Sequence, residues 1–397
     1  MILNSPPGCS VDSRSAAPPG LPRSWAGRVR ELDRWEWRTA DGGDPLAQLT
    51  AFLAGAGLGI PGRSAPAPGV CGAAVMISAA AGALAAGEPP GAPSPCPAVP
   101  DVAVVVHGRA AGVDARAPGP WQCGRWTPSW TPAEHAAAVE RVRRSIARGE
   151  VYQTNVVGHR SAPCTGDPAA ALAAVAGLPG AGYGGTLRGD GWAVASGSPE
   201  CLLTVAGGRV TTRPIKGTRP RTAAGRAELY ASAKERAEHV MIVDLERNDL
   251  SRIARTGTVR VDELFAMRSW CDLWQAESVV SAELAGDAGL IAVLEALLPG
   301  GSVTGAPKSS ALRLVDELEP VGRGPAMGAL GYLTPHRLDL GLTIRTIAIA
   351  DDTVHLWTGG GITWGSEPWA EVAEAQAKAA PVLTALAGCG GDRSPAR

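Results

Sequence analysis

The stretch "CLLTVAGGRVTTRPI", Cys201 to Ile215, limits the possible folds of this chain more than any other. Two alternating apolar runs meet at Gly207-Gly208, and paired glycines supply the backbone angles that a two-residue hairpin needs. Sheets built on such hairpins are antiparallel. Further strands are predicted at "VAVVV" (Val102 to Val106), "VYQTNVV", "GWAVAS" (Gly191 to Ser196), "AMGALGYLTP", "LDLGLTIRTIAIA" and "TVHLWTGGGI". The uncharged run Ser64 to Gly87 reads as a buried strand followed by a small-residue helix, since Ala and Gly are too weakly apolar for a membrane span. Pro89 to Pro100 reads as a surface loop. Helices interrupt the strands. Thr131 is a natural N-cap, with Pro132 at the first helical position, Glu134 completing a capping box, and Val139, Val142 and Ile146 at helical spacing. A long helical pattern runs from about Arg226 to Ile253, with others near Ile291 to Leu297, near Ser309 to Glu317 and from Ser366. Hairpins interspersed with long helices predict an α+β fold on antiparallel sheets.

Composition narrows the class. A chain of 397 residues with 45% apolar and 19% charged side chains has enough apolar content for a packed core. Its formal net charge of −1, with arginines spread along the chain, offers no footprint for nucleic acid or an anionic membrane. The eight cysteines form no C-x-x-C pair, which argues against a zinc site or a disulfide framework. With no signal-like segment, a cytoplasmic location is expected.

Lysine usage points to chemistry. Of 37 cationic side chains only Lys216, Lys234, Lys308 and Lys378 are lysines. A lysine kept against such an arginine preference is favoured where a guanidinium will not serve, because an ammonium can shed its proton. In "RPIKGTRPR", Lys216 ends a strand and precedes Gly217. Burial, with like charge from Arg213, Arg219 and Arg221, would depress its pKa and make it a nucleophile; chance survival is the alternative.

Three other stretches each admit two readings. In "SAKERAEHVMIVDLERNDLSR", Ser232 to Arg252, Lys234, Glu238 and Leu245 share a helical face, so Glu238 is either a Mg²⁺ ligand or half of a solvated i,i+4 pair. "PGGSVTGAPK", Pro299 to Lys308, is an anion-cradling loop or a plain turn, and its spacing is not that of a P-loop. In "TGGGITWGSEPWAEVAEAQAK", Thr358 to Lys378, three glycines free backbone amides to approach a carboxylate and Ser366 is the expected helix cap. Glu371, Glu374 and Lys378 then fall on one face, as ligands of a hard cation such as Mg²⁺ or as an exposed acidic stripe.

Together with "SGSPECLL", "GALGYL" and "IRTI", these stretches resemble the chorismate-utilising enzymes, a family that includes component I of anthranilate and aminodeoxychorismate synthases and the isochorismate and salicylate synthases. The resemblance covers about Thr131 to Ala380. It implies a sandwich-like core of antiparallel sheets flanked by helices, with residues 1–130 a divergent N-terminal part of the same fold, 131–382 the catalytic region and 383–397 a disordered tail. P-I-K-G-T, where anthranilate synthases usually carry a small residue in place of lysine, resembles aminodeoxychorismate synthase.

That likeness implies roles for particular residues. Lys216 would attack the chorismate ring and Glu200 would be the general acid. Arg345, the amides of Gly359, Gly360 and Gly361, Thr304 and Lys378 would bind substrate. Glu238, Glu371 and Glu374 would hold Mg²⁺. Gln275 stands where many relatives have histidine, and Gln153 stands where isochorismate and salicylate synthases carry a lysine base. No glutaminase nucleophile elbow is present, so ammonia for 4-aminobenzoate and folate formation is expected from a separate glutamine amidotransferase subunit or from free ammonium. Anthranilate synthase component I and a non-catalytic chorismate-binding relative remain the alternatives.

Overall fold

A computed structural model describes residues 29–110 and 118–389. Cys9 and positions 390–397 of the expected tail lie outside them. The described residues form two antiparallel sheets. The ten-stranded sheet runs in the order Val29–Trp37, Val102–Arg109, Val70–Ile77, Ala329–Leu333, Arg337–Leu342, Cys201–Ala206, Arg209–Arg213, Leu273–Glu283 and Ile215–Pro220, with Arg260–Trp270 also on Leu273–Glu283. Residues before 130 therefore share a sheet with the C-terminal strands. The eight-stranded sheet runs Gly305–Ala306, Gln153–Gly166, Thr353–Ile362, Thr346–Ala350, Trp192–Ser196 and Gly185–Gly189, with Trp121–Cys123 and Thr127–Pro128 also on Gln153–Gly166.

Strand alternation explains how the layers stack. In Trp192–Ser196, Trp192 and Val194 enter a core shared with Val104, Leu203 and Leu340 of the ten-stranded sheet. Ala193 and Ala195 face the other way and pack with Leu172 and Val175 of the helix Pro168–Ala176 and with Val382 and Leu386 of the helix Pro368–Ala387. One face is thus sandwiched and the other helix-covered, as a period of two requires. The last helix runs to Ala387, past the expected boundary at 382, because Val382 and Leu386 still reach this core.

Local signals hold where they are local. The helix Pro132–Ala147 carries the full Thr131/Glu134 capping box. Gly207 and Gly208 have φ of 57° and 74° in their hairpin. Two expectations change. The pattern from Arg226 to Ile253 is two helices, Ala223–Ala231 and Ala233–Ser251, because Ser232 leaves helical geometry and its side chain accepts the Glu235 N–H. The run "LDLGLTIRTIAIA" is two strands in different sheets, and the chain crosses between them at Thr343, Ile344 and Arg345. Among the described residues no helix is long and apolar enough to cross a membrane, and the seven described cysteines are free.

Candidate active site

The cleft lies where the chain changes sheets. One crossover follows Ser196 and delivers Glu200; the other follows Leu342 and delivers Arg345. They brace each other, with Gly197 N–H donating to the Arg345 carbonyl at 3.1 Å and Leu342 N–H to the Glu200 carbonyl at 3.0 Å. Arg345 sits at φ 53°, a left-handed conformation that turns the chain sharply. Both side chains line one cleft of about 780 Å³ with Lys216, Gly359, Gly360, Gly361, Glu238, Glu371, Glu374, Lys378 and Gln275. Sequence reasoning thus assembled most of one cavity from distant segments.

Lys216 reaches the cleft through a bulge. Its strand pairs with Leu273–Glu283, and the register slips between Lys216 and Thr218 around Gly217, whose φ is 76°. Lys216 is 8% exposed and its Nζ donates to the Ser302 carbonyl at 3.3 Å. Burial lowers its pKa; Glu238 and Glu200 oppose that, and Lys378 reinforces it. The expected arginine neighbours do not supply the leading like charge, because Arg213 pairs with Glu277 at 3.4 Å and Arg219 with Glu228 at 3.1 Å and Glu235 at 3.3 Å. Glu200, also buried, has its pKa raised by desolvation, against the Ser302 hydrogen bond, the Lys216 charge and the Ile215 N–H. An amine poised toward its neutral form therefore shares a cleft with a carboxyl poised toward its protonated form. Such a pair suits nucleophilic attack with general-acid assistance.

Arg345 is 4% exposed and its guanidinium stacks 3.6 Å from the Trp270 ring centroid. Burial pulls its pKa down to about 10, although Glu200 pushes the other way. Its buried Nη1 has no hydrogen-bond partner, and the buried side-chain amide of Gln153 has none at either end. Unsatisfied buried donors of this kind are complementary to an anion. Thr353–Ile362 pairs with Gln153–Gly166 along its whole length, but its pairing with Thr346–Ala350 ends at Trp357. The three glycines therefore have a strand on one side and the cleft on the other.

The carboxylates come from two helices. Lys234 bridges Glu371 at 3.3 Å and Glu238 at 3.7 Å, so the i,i+4 pair of the sequence reading exists, with an exposed lysine on buried carboxylates. Lys378 pairs with Glu374 at 2.8 Å and donates to the Gly359 carbonyl at 3.0 Å. Burial and then the Glu374 charge raise the Glu371 pKa. Burial pushes Glu374 up, but the charge and hydrogen bond of Lys378, with the charges of Lys234 and Arg219, together bring its pKa down. Among the described residues no three acidic, histidine or cysteine side chains already stand in metal-binding proximity. The donor set is all hard oxygen and electrostatically crowded, which fits a divalent cation such as Mg²⁺.

Two expectations are corrected. Thr304 does not line the cleft: it is 1% exposed and its hydroxyl donates to the Gly300 carbonyl at 2.8 Å. Ser302, two residues earlier, takes that place. Ser366 does not cap the last helix; Glu367 does, accepting from Ala370 N–H at 2.7 Å, while Ser366 accepts from Thr363 N–H at 3.1 Å. "PGGSVTGAPK" forms a buried turn at Gly301–Val303, and Lys308 pairs with Asp249 at 2.7 Å. Sequence reasoning also missed Glu235, Thr218 and Asn155, whose cleft positions depend on cross-strand neighbours that no local pattern reveals.

A family profile described as chorismate binding enzyme matches residues 101–384. The chain belongs to the chorismate binding enzyme family. It is 37% identical over 269 residues to anthranilate synthase component 1 of Streptomyces coelicolor, covering 66% of this chain and 53% of that protein. It is 34% identical over 281 residues to aminodeoxychorismate synthase component 1 of Bacillus subtilis, covering 69% of this chain and 60% of that protein. The match therefore spans little more than half the length of these relatives. In fold it resembles anthranilate synthase component I of Streptococcus pneumoniae, with a TM-score of 0.75 at 23% identity over 96% of this chain and 95% of that one.

The triglycine strand of this chorismate binding family member yields a prediction. A Cβ on Gly361 would lie 2.8 Å from Lys216 Nζ and 2.9 Å from Gln153 Nε2, both ends of flexible side chains. Gly361→Ala should keep its melting temperature within a few degrees, yet lose about tenfold to a hundredfold in turnover by displacing the amine. A Cβ on Gly359 would instead lie 2.0 Å from the Val156 carbonyl oxygen, so Gly359→Ala should disrupt the sheet itself. Thermal melts beside steady-state rates separate the two effects.

Proposed function

We propose that this chain converts chorismate and ammonia to 4-amino-4-deoxychorismate, the reaction of an aminodeoxychorismate synthase component I. The observation that carries this reading is the buried Lys216, its pKa lowered, in one cleft with Glu200, whose pKa is raised. Lys216 Nζ bonds to ring C2 as both conjugated ring double bonds shift toward C4 and the C4–O bond breaks, and Glu200 gives its proton to the departing hydroxyl, which leaves as water. Ammonia then bonds to C4, both double bonds shift back, the C2–N bond breaks with its electrons returning to the lysine nitrogen, and the C4 ammonium gives a proton back to the Glu200 carboxylate. Arg345 Nη1 accommodates one substrate carboxylate and the open amides of the triglycine strand another. Mg²⁺ held by Glu238, Glu371 and Glu374 would neutralise a substrate carboxylate. Ammonia would come from a separate glutaminase chain, a reading supported by the "component 1" names of the relatives.

A second reading is anthranilate synthase component I, because relatives of that name are as similar as those of the first. Incubating the protein with chorismate, Mg²⁺ and ammonium and identifying the product by mass distinguishes them. Aminodeoxychorismate with its enolpyruvyl group retained is expected. Anthranilate with pyruvate would overturn the lysine-based assignment.

A further inference from the structure

A second concave site lies on the helix-covered face of the eight-stranded sheet. It is a groove of about 620 Å³ between the start of the helix Pro132–Ala147, the helix Pro368–Ala387 and the strand Gln153–Gly166. The groove has a cation and no acid. Arg160 projects from the strand, half-buried, and among the described residues it has neither an ion pair nor a side-chain hydrogen bond. No Asp or Glu is among the residues lining the groove; the exposed neighbour on the last helix is Gln376. Most half-buried arginines find a carboxylate, so an arginine walled by neutral groups has room for an anion from outside.

The walls specify the kind of anion. The Trp130 indole stacks on His135 with ring centroids 4.8 Å apart and planes 19° apart. It can lie against the strand only because residue 158 is glycine: a Cβ there would stand 2.9 Å from Trp130 Nε1. The floor and far wall are Val372, Ala375 and Trp126. Burial and then the Arg160 charge pull His135 down to about 4, and burial, His355 and Arg160 pull His159 down to about 3. Both imidazoles are therefore neutral near pH 7, leaving one fixed positive charge. One charge between flat apolar walls matches a singly charged planar ion better than a tetrahedral dianion.

We propose that this groove is a second ligand site, distinct from the catalytic cleft, which binds a small planar carboxylate with its anionic end on Arg160 and its ring between the tryptophan and the last helix. The groove abuts the cleft. Thr358 lines both, and the last helix offers Val372, Ala375 and Gln376 to the groove while offering Glu371, Glu374 and Lys378 to the cleft.

The test uses 4-bromobenzoate with the full chain, by titration calorimetry in solution and by bromine anomalous scattering in crystals. Saturable binding and a bromine peak beside Trp130 are expected, and tenfold excess inorganic phosphate should not displace the ligand. Arg160→Gln should weaken binding by about tenfold or more, and Arg160→Lys should recover part of it. Should Arg160→Gln fail to fold, Gln376→Glu serves instead, because this exposed substitution places a carboxylate in the lining of the groove, where it competes with an anionic ligand and should weaken binding equally. Bromine found only beside Arg345, unchanged affinity in both Arg160→Gln and Gln376→Glu, full displacement by phosphate, or occupancy in crystals without binding in solution would each overturn the proposal. None of these readouts depends on what the catalytic cleft does.

Discussion

Replacing Lys216 with alanine is expected to cut chorismate amination by about three to four orders of magnitude while leaving the protein folded. Nothing structural hangs on the amine beyond one hydrogen bond to the Ser302 carbonyl at 3.3 Å, and removing a buried charge relieves desolvation. Lys216→Arg should be as inactive as Lys216→Ala, since a guanidinium keeps its proton and cannot attack carbon. The pH profile should be a bell. The reacting state needs Lys216 neutral, which fails toward acid, and Glu200 protonated, which fails toward alkali, so activity falls on both sides of an intermediate pH. Incubation with chorismate without ammonia, then acid quenching, should reveal a covalent adduct by intact mass in the wild type and none in Lys216→Ala. A Lys216→Ala protein that aminates at the wild-type rate would remove the lysine from the mechanism.

Much of this could be read before any coordinates because the relevant physics is local. A capping box at Thr131 and Glu134, a Gly-Gly hairpin and a lone lysine in an arginine-rich chain each declare themselves within a few residues. What stayed hidden depends on partners far away in sequence. The apolar run Leu338 to Ala350 is strand-like throughout, and nothing in it says that Leu342 and Thr346 belong to different sheets. Yet that break positions Arg345. Likewise Arg213 and Arg219 look like neighbours that would repel Lys216 until their carboxylate partners Glu277 and Glu235 are known. Thr304 and Ser302 sit in the same small-residue loop, and only the turn at Gly301–Val303 decides which of them faces the cleft.

Arg345→Met should move stability and affinity in opposite directions. In the free protein Arg345 is a buried cation with an unpartnered Nη1, its pKa pulled down to about 10 by desolvation. Methionine of similar length keeps contact with the Trp270 ring and removes the uncompensated charge, so the free protein should gain about 1 to 3 kcal/mol. The same change leaves a substrate carboxylate without its charge-assisted partner in a dry cleft. That loss corresponds to about 3 kcal/mol or more, or roughly a hundredfold rise in KM. Chemical denaturation of the free protein and steady-state kinetics read the two effects separately. A destabilised Arg345→Met with unchanged KM would make Arg345 a structural brace between the crossovers. A stabilised variant with weakened binding would mean that this fold carries an unsatisfied cation at its sheet crossover because the substrate supplies the missing charge.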